Sequence, residues 1–63
     1  MRIGPAHLRA MRVAMKMTQK ELGEEIGVAE NTIWRYEHGH LRLTERTLKA
    51  VRAVAKLRGV WNL

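Results

Sequence analysis

The chain has 63 residues, enough for one small domain that buries about 60% of its unfolded surface. It has no cysteine, which excludes disulfide staples and thiolate metal sites, so stability has to come from helix packing or a partner chain. Twelve Lys and Arg against six Glu and no Asp give a net charge of +6, the balance of a domain that binds a polyanion, most often nucleic acid.

The opening residues, MRIGPAHLRAM, lack the apolar core of a secretory signal, and no apolar run approaches the ~20 residues of a membrane span. A cytoplasmic protein with no membrane partner is the expectation. Gly4-Pro5 opens a first helix, since proline is tolerated where a helix leaves its N–H groups unpaired anyway. Leu8, Met11 and Met15 recur at helical spacing and predict its buried stripe, over about Pro5 to Met15. Lys16 and Met17 carry the chain to Thr18.

Thr18 with Glu21 three residues on is a capping box, so a second helix covers about Thr18 to Glu25. Leu22 and Ile26 share one of its faces, and Gly27 can take the left-handed conformation that ends it. A third helix spans about Ala29 to His38 and stops at Gly39, with Ile33 and Tyr36 on its inner face. Gly23 has no side chain where the second and third helices cross. Thr44 caps a fourth helix running to about Arg58 before Gly59, and Leu43 and Leu48 are placed as its hydrophobic staple. Its buried stripe is Leu48, Val51, Val54 and Ala55. Arg42, Arg46, Lys49, Arg52 and Lys56 form a basic face turned away from Leu48 and Val51. Four of the acids, Glu21, Glu24, Glu25 and Glu30, lie within ten residues, and none follows Arg46. No strand, repeat or linker is expected.

The stretch from Thr18 to about His38, two short helices joined by a glycine turn, has the pattern of a helix-turn-helix. In such a unit the front of the second helix enters the major groove of DNA. Here that front is Ala29, Glu30, Asn31 and Thr32, with Arg35 one turn on. Arg35 can grip guanine O6 and N7 with two donors, Asn31 can pair with adenine N6 and N7, and Glu30 can accept from cytosine N4. Trp34 lies 100° round from Ile33 and one turn from Glu30, on the outward side, so Tyr36 is the aromatic expected to be buried. An outward Trp34 is placed to cover a thymine methyl or a sugar. The other uses open to it are a dimer contact and packing on the fourth helix or the tail.

LRAMR in the first helix, TQKEL opening the second, IGV at the turn and ENTIWRYEHG at the recognition helix resemble the lambda-repressor-like family, also called Cro/C1 or XRE. The resemblance covers about Leu8 to Gly39. It implies an all-α, compact four- to five-helix bundle and a dimer on a near-palindromic operator, with half-sites about one helical turn apart. It implies transcriptional repression, often of the promoter of the operon that carries the gene in a phage, plasmid or toxin–antitoxin system. Position by position, Glu30, Asn31 and Arg35 fall on the family's main base-contacting sites. Gln19 falls on one that meets phosphate or an outer base, and Thr32, His38 and His40 on backbone-contacting sites. The family also pairs an arginine of the first helix with the glutamate that ends the recognition helix, here Arg12 and Glu37. Two residues depart from the pattern: Ala29 stands where a Ser or Thr cap is usual, and Gly23 where alanine is commoner.

The basic face of the fourth helix is either a solvated surface or a phosphate-contacting one, the latter through at least Arg42 and Arg46. Val54, Leu57, Val60, Trp61 and Leu63 either close a dimer or fold back on the core of one chain. His38 and His40 flank a glycine without other strong ligands nearby, so no metal site is expected, and no cofactor or small-molecule ligand. With no Cys, Asp or Ser, the chain has no catalytic constellation and is not expected to be an enzyme. The reading that follows is a sequence-specific regulator of transcription. The competing one is an antitoxin-like or anti-repressor module that uses the same fold to bind an acidic protein.

Overall fold

Four helices, α1 (Pro5–Ala14), α2 (Gln19–Ile26), α3 (Glu30–Glu37) and α4 (Glu45–Leu57), make up the computed structural model, which describes residues 4–60; no strand occurs among them. Each start has a local cause. Gly4 is extended before Pro5 at the first turn of α1. At α2 the capping box is closed: the Thr18 hydroxyl accepts from the Glu21 N–H at 3.0 Å, and the Glu21 carboxylate accepts from the Thr18 N–H at 2.8 Å. Thr44 does half of this at α4, its hydroxyl accepting from the Thr47 N–H at 3.2 Å. At α3 the capping position holds Ala29, which has no side chain to offer.

The ends of α1, α3 and α4 share one device, the Schellman closure, in which two N–H groups beyond the helix turn back to its last carbonyls. After α1, Met17 N–H donates to Arg12 O at 3.2 Å and Lys16 N–H to Val13 O at 2.9 Å. His40 and Gly39 repeat the pattern after α3, Val60 and Gly59 after α4. This closure places one residue in the left-handed region. Glycine fills it after α3 and α4, but after α1 it falls to Lys16, at φ +58°. Met17 thereby turns inward and is buried in the core cluster, a placement the sequence pattern did not reveal.

Each helix contributes one large, wholly buried side chain to the centre: Leu8 from α1, Leu22 from α2, Ile33 from α3 and Val51 from α4. Burying such side chains stabilises by about 1.5–3 kcal/mol each, which makes this quartet the main support of the fold. Met11, Met15, Met17, Tyr36, Leu48 and Ala55 complete the core, with Ile26, Val28, Leu43, Val54 and Val60 packed against it. Leu43 thus reaches the cluster that holds Leu48, as a hydrophobic staple requires.

α2 packs most extensively on α3, while α1 lies on α3 and α4 on α2. The α2–α3 approach is close enough that a Cβ on Gly23 would stand 2.5 Å from the Val28 carbonyl oxygen. Glycine is therefore what lets the turn pass over α2.

The end of α4 divides the apolar residues assigned to it. Val54 and Val60 turn to the chain's own core, while Leu57 is 88% exposed. Trp61 and Leu63 lie outside the described residues. Arg52 departs from the expected basic face. It is half-buried with its Nε out of solvent and unpaired, because a residue one turn after Leu48 rotates only 40° from it and lies along the apolar stripe. Arg42, Arg46, Lys49 and Lys56 are exposed.

Candidate nucleic-acid interface

The candidate recognition surface is built from the front of α3 and the first turn of α2. Glu30, Asn31 and Arg35 are exposed, and Thr32 is half-buried. Gln19, Glu30, Asn31 and Trp34 line one open depression between the two helices. Among the described residues, the side chains of Glu30, Asn31 and Arg35 make no hydrogen bond or ion pair. Exposed donors and acceptors without internal partners keep their hydrogen-bonding capacity for a ligand.

Behind this surface, Glu37 acts as a hub. Its carboxylate side chain is 2% exposed and takes Arg12 Nε on Oε2 at 2.6 Å and Arg12 Nη2 on Oε1 at 3.1 Å. Arg12 also donates through Nη1 to the Met17 carbonyl at 2.9 Å, so the guanidinium ties α1, the α1–α2 link and α3 together. Gln19 joins the hub, its Nε2 donating to Glu37 Oε1 at 3.2 Å. That bond commits one donor of the amide and leaves its oxygen and second N–H available. Neither the spacing of the residues nor the resemblance indicated that Gln19 is held by the glutamate that also holds Arg12.

Trp34 is 42% exposed, and its indole is not loose. The His38 imidazole stacks on it at a centroid distance of 3.9 Å and 18°, and His40 lies nearly parallel at 5.5 Å and 9°. His38 Nδ1 stands 2.8 Å from the Trp34 carbonyl oxygen, a hydrogen bond when the proton is on Nδ1. The i, i+4 spacing of Trp34 and His38 carried a signal for half of this cluster. The other half depends on left-handed Gly39, φ +73°, which turns His40 back toward α3.

The remaining basic candidates follow α3 in the chain. His40 and Arg42 are exposed on the connection to α4, and Arg46 on its first turn. Three of the six acids stand apart: Glu21, Glu24 and Glu25 line a separate depression with Lys16 and Arg58, where Arg58 Nη2 donates to Glu25 at 2.6 Å. Both partners of that pair are half-exposed, so it contributes at most about 1 kcal/mol. No group of three or more His or Glu side chains able to hold a metal occurs among the described residues. None of the described helices is long and apolar enough to cross a membrane.

A comparison with curated proteins found no match. A family model described as Helix-turn-helix matches residues 8–58, which takes in the core of all four helices and reaches well beyond the segment whose motifs carry the resemblance. The chain belongs to the Cro/C1-type (XRE) helix-turn-helix family of DNA-binding regulators.

Proposed function

We propose that the chain is a sequence-specific repressor that binds a near-palindromic operator as a homodimer, with the front of α3 in the major groove. The observation that carries this reading is the set of exposed, internally unpartnered side chains at that front: Glu30, Asn31 and Arg35, beside Gln19 and Trp34 in one depression. Their chemistry matches base edges: Arg35 for guanine, Asn31 for adenine, Glu30 for cytosine. Gln19, Thr32, His38, His40, Arg42 and Arg46 are the phosphate contacts of this reading. These fix register on the duplex and carry no sequence information themselves. We place the dimer contact at the end of α4, where Leu57 is exposed.

The test is a binding titration on DNA from directly upstream of the gene, beside scrambled duplex, at about 50 and 200 mM salt. Specific binding is expected to exceed non-specific binding by at least about a thousandfold, and Arg35→Ala to abolish the difference. Arg42→Ala and Arg46→Ala should each weaken binding to both duplexes and flatten the salt dependence by about one charge. Equal, salt-sensitive binding to both duplexes would remove the operator from the reading. A search for a protein partner of the antitoxin or anti-repressor kind would then take its place.

A further inference from the structure

The depression at the front of α3 has two chemically different sides. Gln19, Glu30 and Asn31 supply amide and carboxylate groups, and Trp34 supplies an apolar wall. That wall is held before any ligand arrives. Two imidazoles lie parallel to the indole, at 3.9 and 5.5 Å, and His38 is anchored in turn on the Trp34 carbonyl at 2.8 Å. A ring fixed in advance loses little rotational freedom on binding, so its contact is converted more fully into affinity. Trp34 stands on the same ridge as Glu30, one turn further along α3, and therefore faces the same groove.

The edges of the bases in the major groove are almost wholly hydrogen-bonding. Their apolar protrusion is the C5 methyl group of a pyrimidine. Three polar residues and one fixed apolar ring in one depression match a stretch of base edges with one methyl among them. We infer that Trp34, positioned by His38 and His40, reads a pyrimidine C5 methyl beside the bases read by Glu30 and Asn31. This inference rests on the proposed DNA-binding function and adds a specificity determinant to it. Two sources present the methyl group. A thymine places O4 next to it, which the Glu30 carboxylate repels, so thymine fits one step away from the base that Glu30 meets. A 5-methylcytosine places N4–H₂ next to it, which the Glu30 carboxylate accepts, so that base suits Glu30 and Trp34 together.

The experiment begins with the full chain and a pool of random duplexes long enough for two half-sites. The affinity of the enriched duplex is then compared with versions in which each thymine is replaced by uracil or each cytosine by 5-methylcytosine. Removing the methyl that Trp34 covers should weaken binding about fourfold, and adding one at a matching cytosine should strengthen it by a similar factor. The first result identifies thymine as the source, the second 5-methylcytosine. Trp34→Ala should bring the ratio for that position to one. His38→Ala and His40→Ala should weaken binding to both duplexes, since both residues are also placed as phosphate contacts, and should in addition shrink the ratio between the two, which loss of a phosphate contact alone does not do. An enriched duplex indifferent to every methyl, or a methyl effect that survives Trp34→Ala, overturns the inference and leaves the DNA-binding reading standing. A pool with no enriched duplex overturns both.

Discussion

Arg12 and Glu37, twenty-five residues apart in sequence, meet at 2.6 Å with their side chains 14% and 2% exposed. The pair joins α1 to the end of the recognition helix, and Gln19 shares the same carboxylate. Replacing Arg12 by Ala leaves a buried carboxylate with the Gln19 amide alone, which should destabilise the fold by about 3 kcal/mol. The double replacement Arg12→Met with Glu37→Met removes both charges and should recover most of that loss, because desolvation offsets much of what the pair gains. Chemical denaturation of the single and double variants measures this. A single Arg12→Met variant that kept both melting temperature and DNA affinity would show that the pair orients nothing.

Gly23 is expected to reverse the usual helix rule. In an exposed helix, Gly→Ala stabilises by about 1 kcal/mol. Here the added Cβ would press on the Val28 carbonyl at 2.5 Å, and the neighbour is backbone that cannot swing aside. Gly23→Ala should therefore lower the melting temperature, by about 1–2 kcal/mol of stability. A rise in melting temperature would mean that the α2–α3 turn yields to the methyl.

Lys16 carries the left-handed position of the α1 closure at φ +58° without being glycine. A left-handed conformation costs an L-residue roughly 1–2 kcal/mol, partly offset by the greater freedom glycine has in the unfolded chain. Lys16→Gly should stabilise the fold by up to about 1 kcal/mol, readable as a higher midpoint in a urea titration. Unchanged stability would show that the strain is already relieved by the buried Met17 contact.

Ala29 leaves the first N–H groups of α3 without a side-chain cap, in an extended conformation that suits one. Ala29→Ser should add about 1 kcal/mol, which for a domain of this size raises the melting temperature by about 4–8 °C. In the proposed binding mode its hydroxyl would also add a phosphate-contacting group at the groove edge. Calorimetry and the salt-dependent titration read the two effects separately.

The Thr18 capping box sets an acid limit on stability. The Thr18 backbone N–H, then its hydroxyl, hold the Glu21 carboxyl below its ordinary value. A carboxyl depressed in the folded state contributes stability that is fully present above its unfolded value. That contribution fades as pH falls through the folded one. Thermal melts at neutral pH and near pH 3 should show a smaller acid loss for Glu21→Gln than for the unmodified chain. Equal losses in both would place the acid sensitivity elsewhere.

What could be read in the sequence was local. The Thr18–Glu21 pair, the glycines after α2, α3 and α4, and the 3.6-residue recurrence of Leu8, Met11 and Met15 each act within about one turn, so residue order determines them. The same locality made Tyr36 the inward aromatic and Trp34 the outward one. The family resemblance, not composition or spacing, brought Arg12 and Glu37 together as a pair. Tertiary structure alone decided that Gln19 shares the Glu37 carboxylate, that His40 folds back beside Trp34 and that Met17 is buried. Each of those contacts depends on how two helices cross or where a left-handed residue aims the chain. A one-residue change in either moves a side chain by several ångströms without altering any local pattern. The sequence thus determined where the helices begin and end. Their packing decided which side chains meet behind the recognition helix and which stand free in front of it.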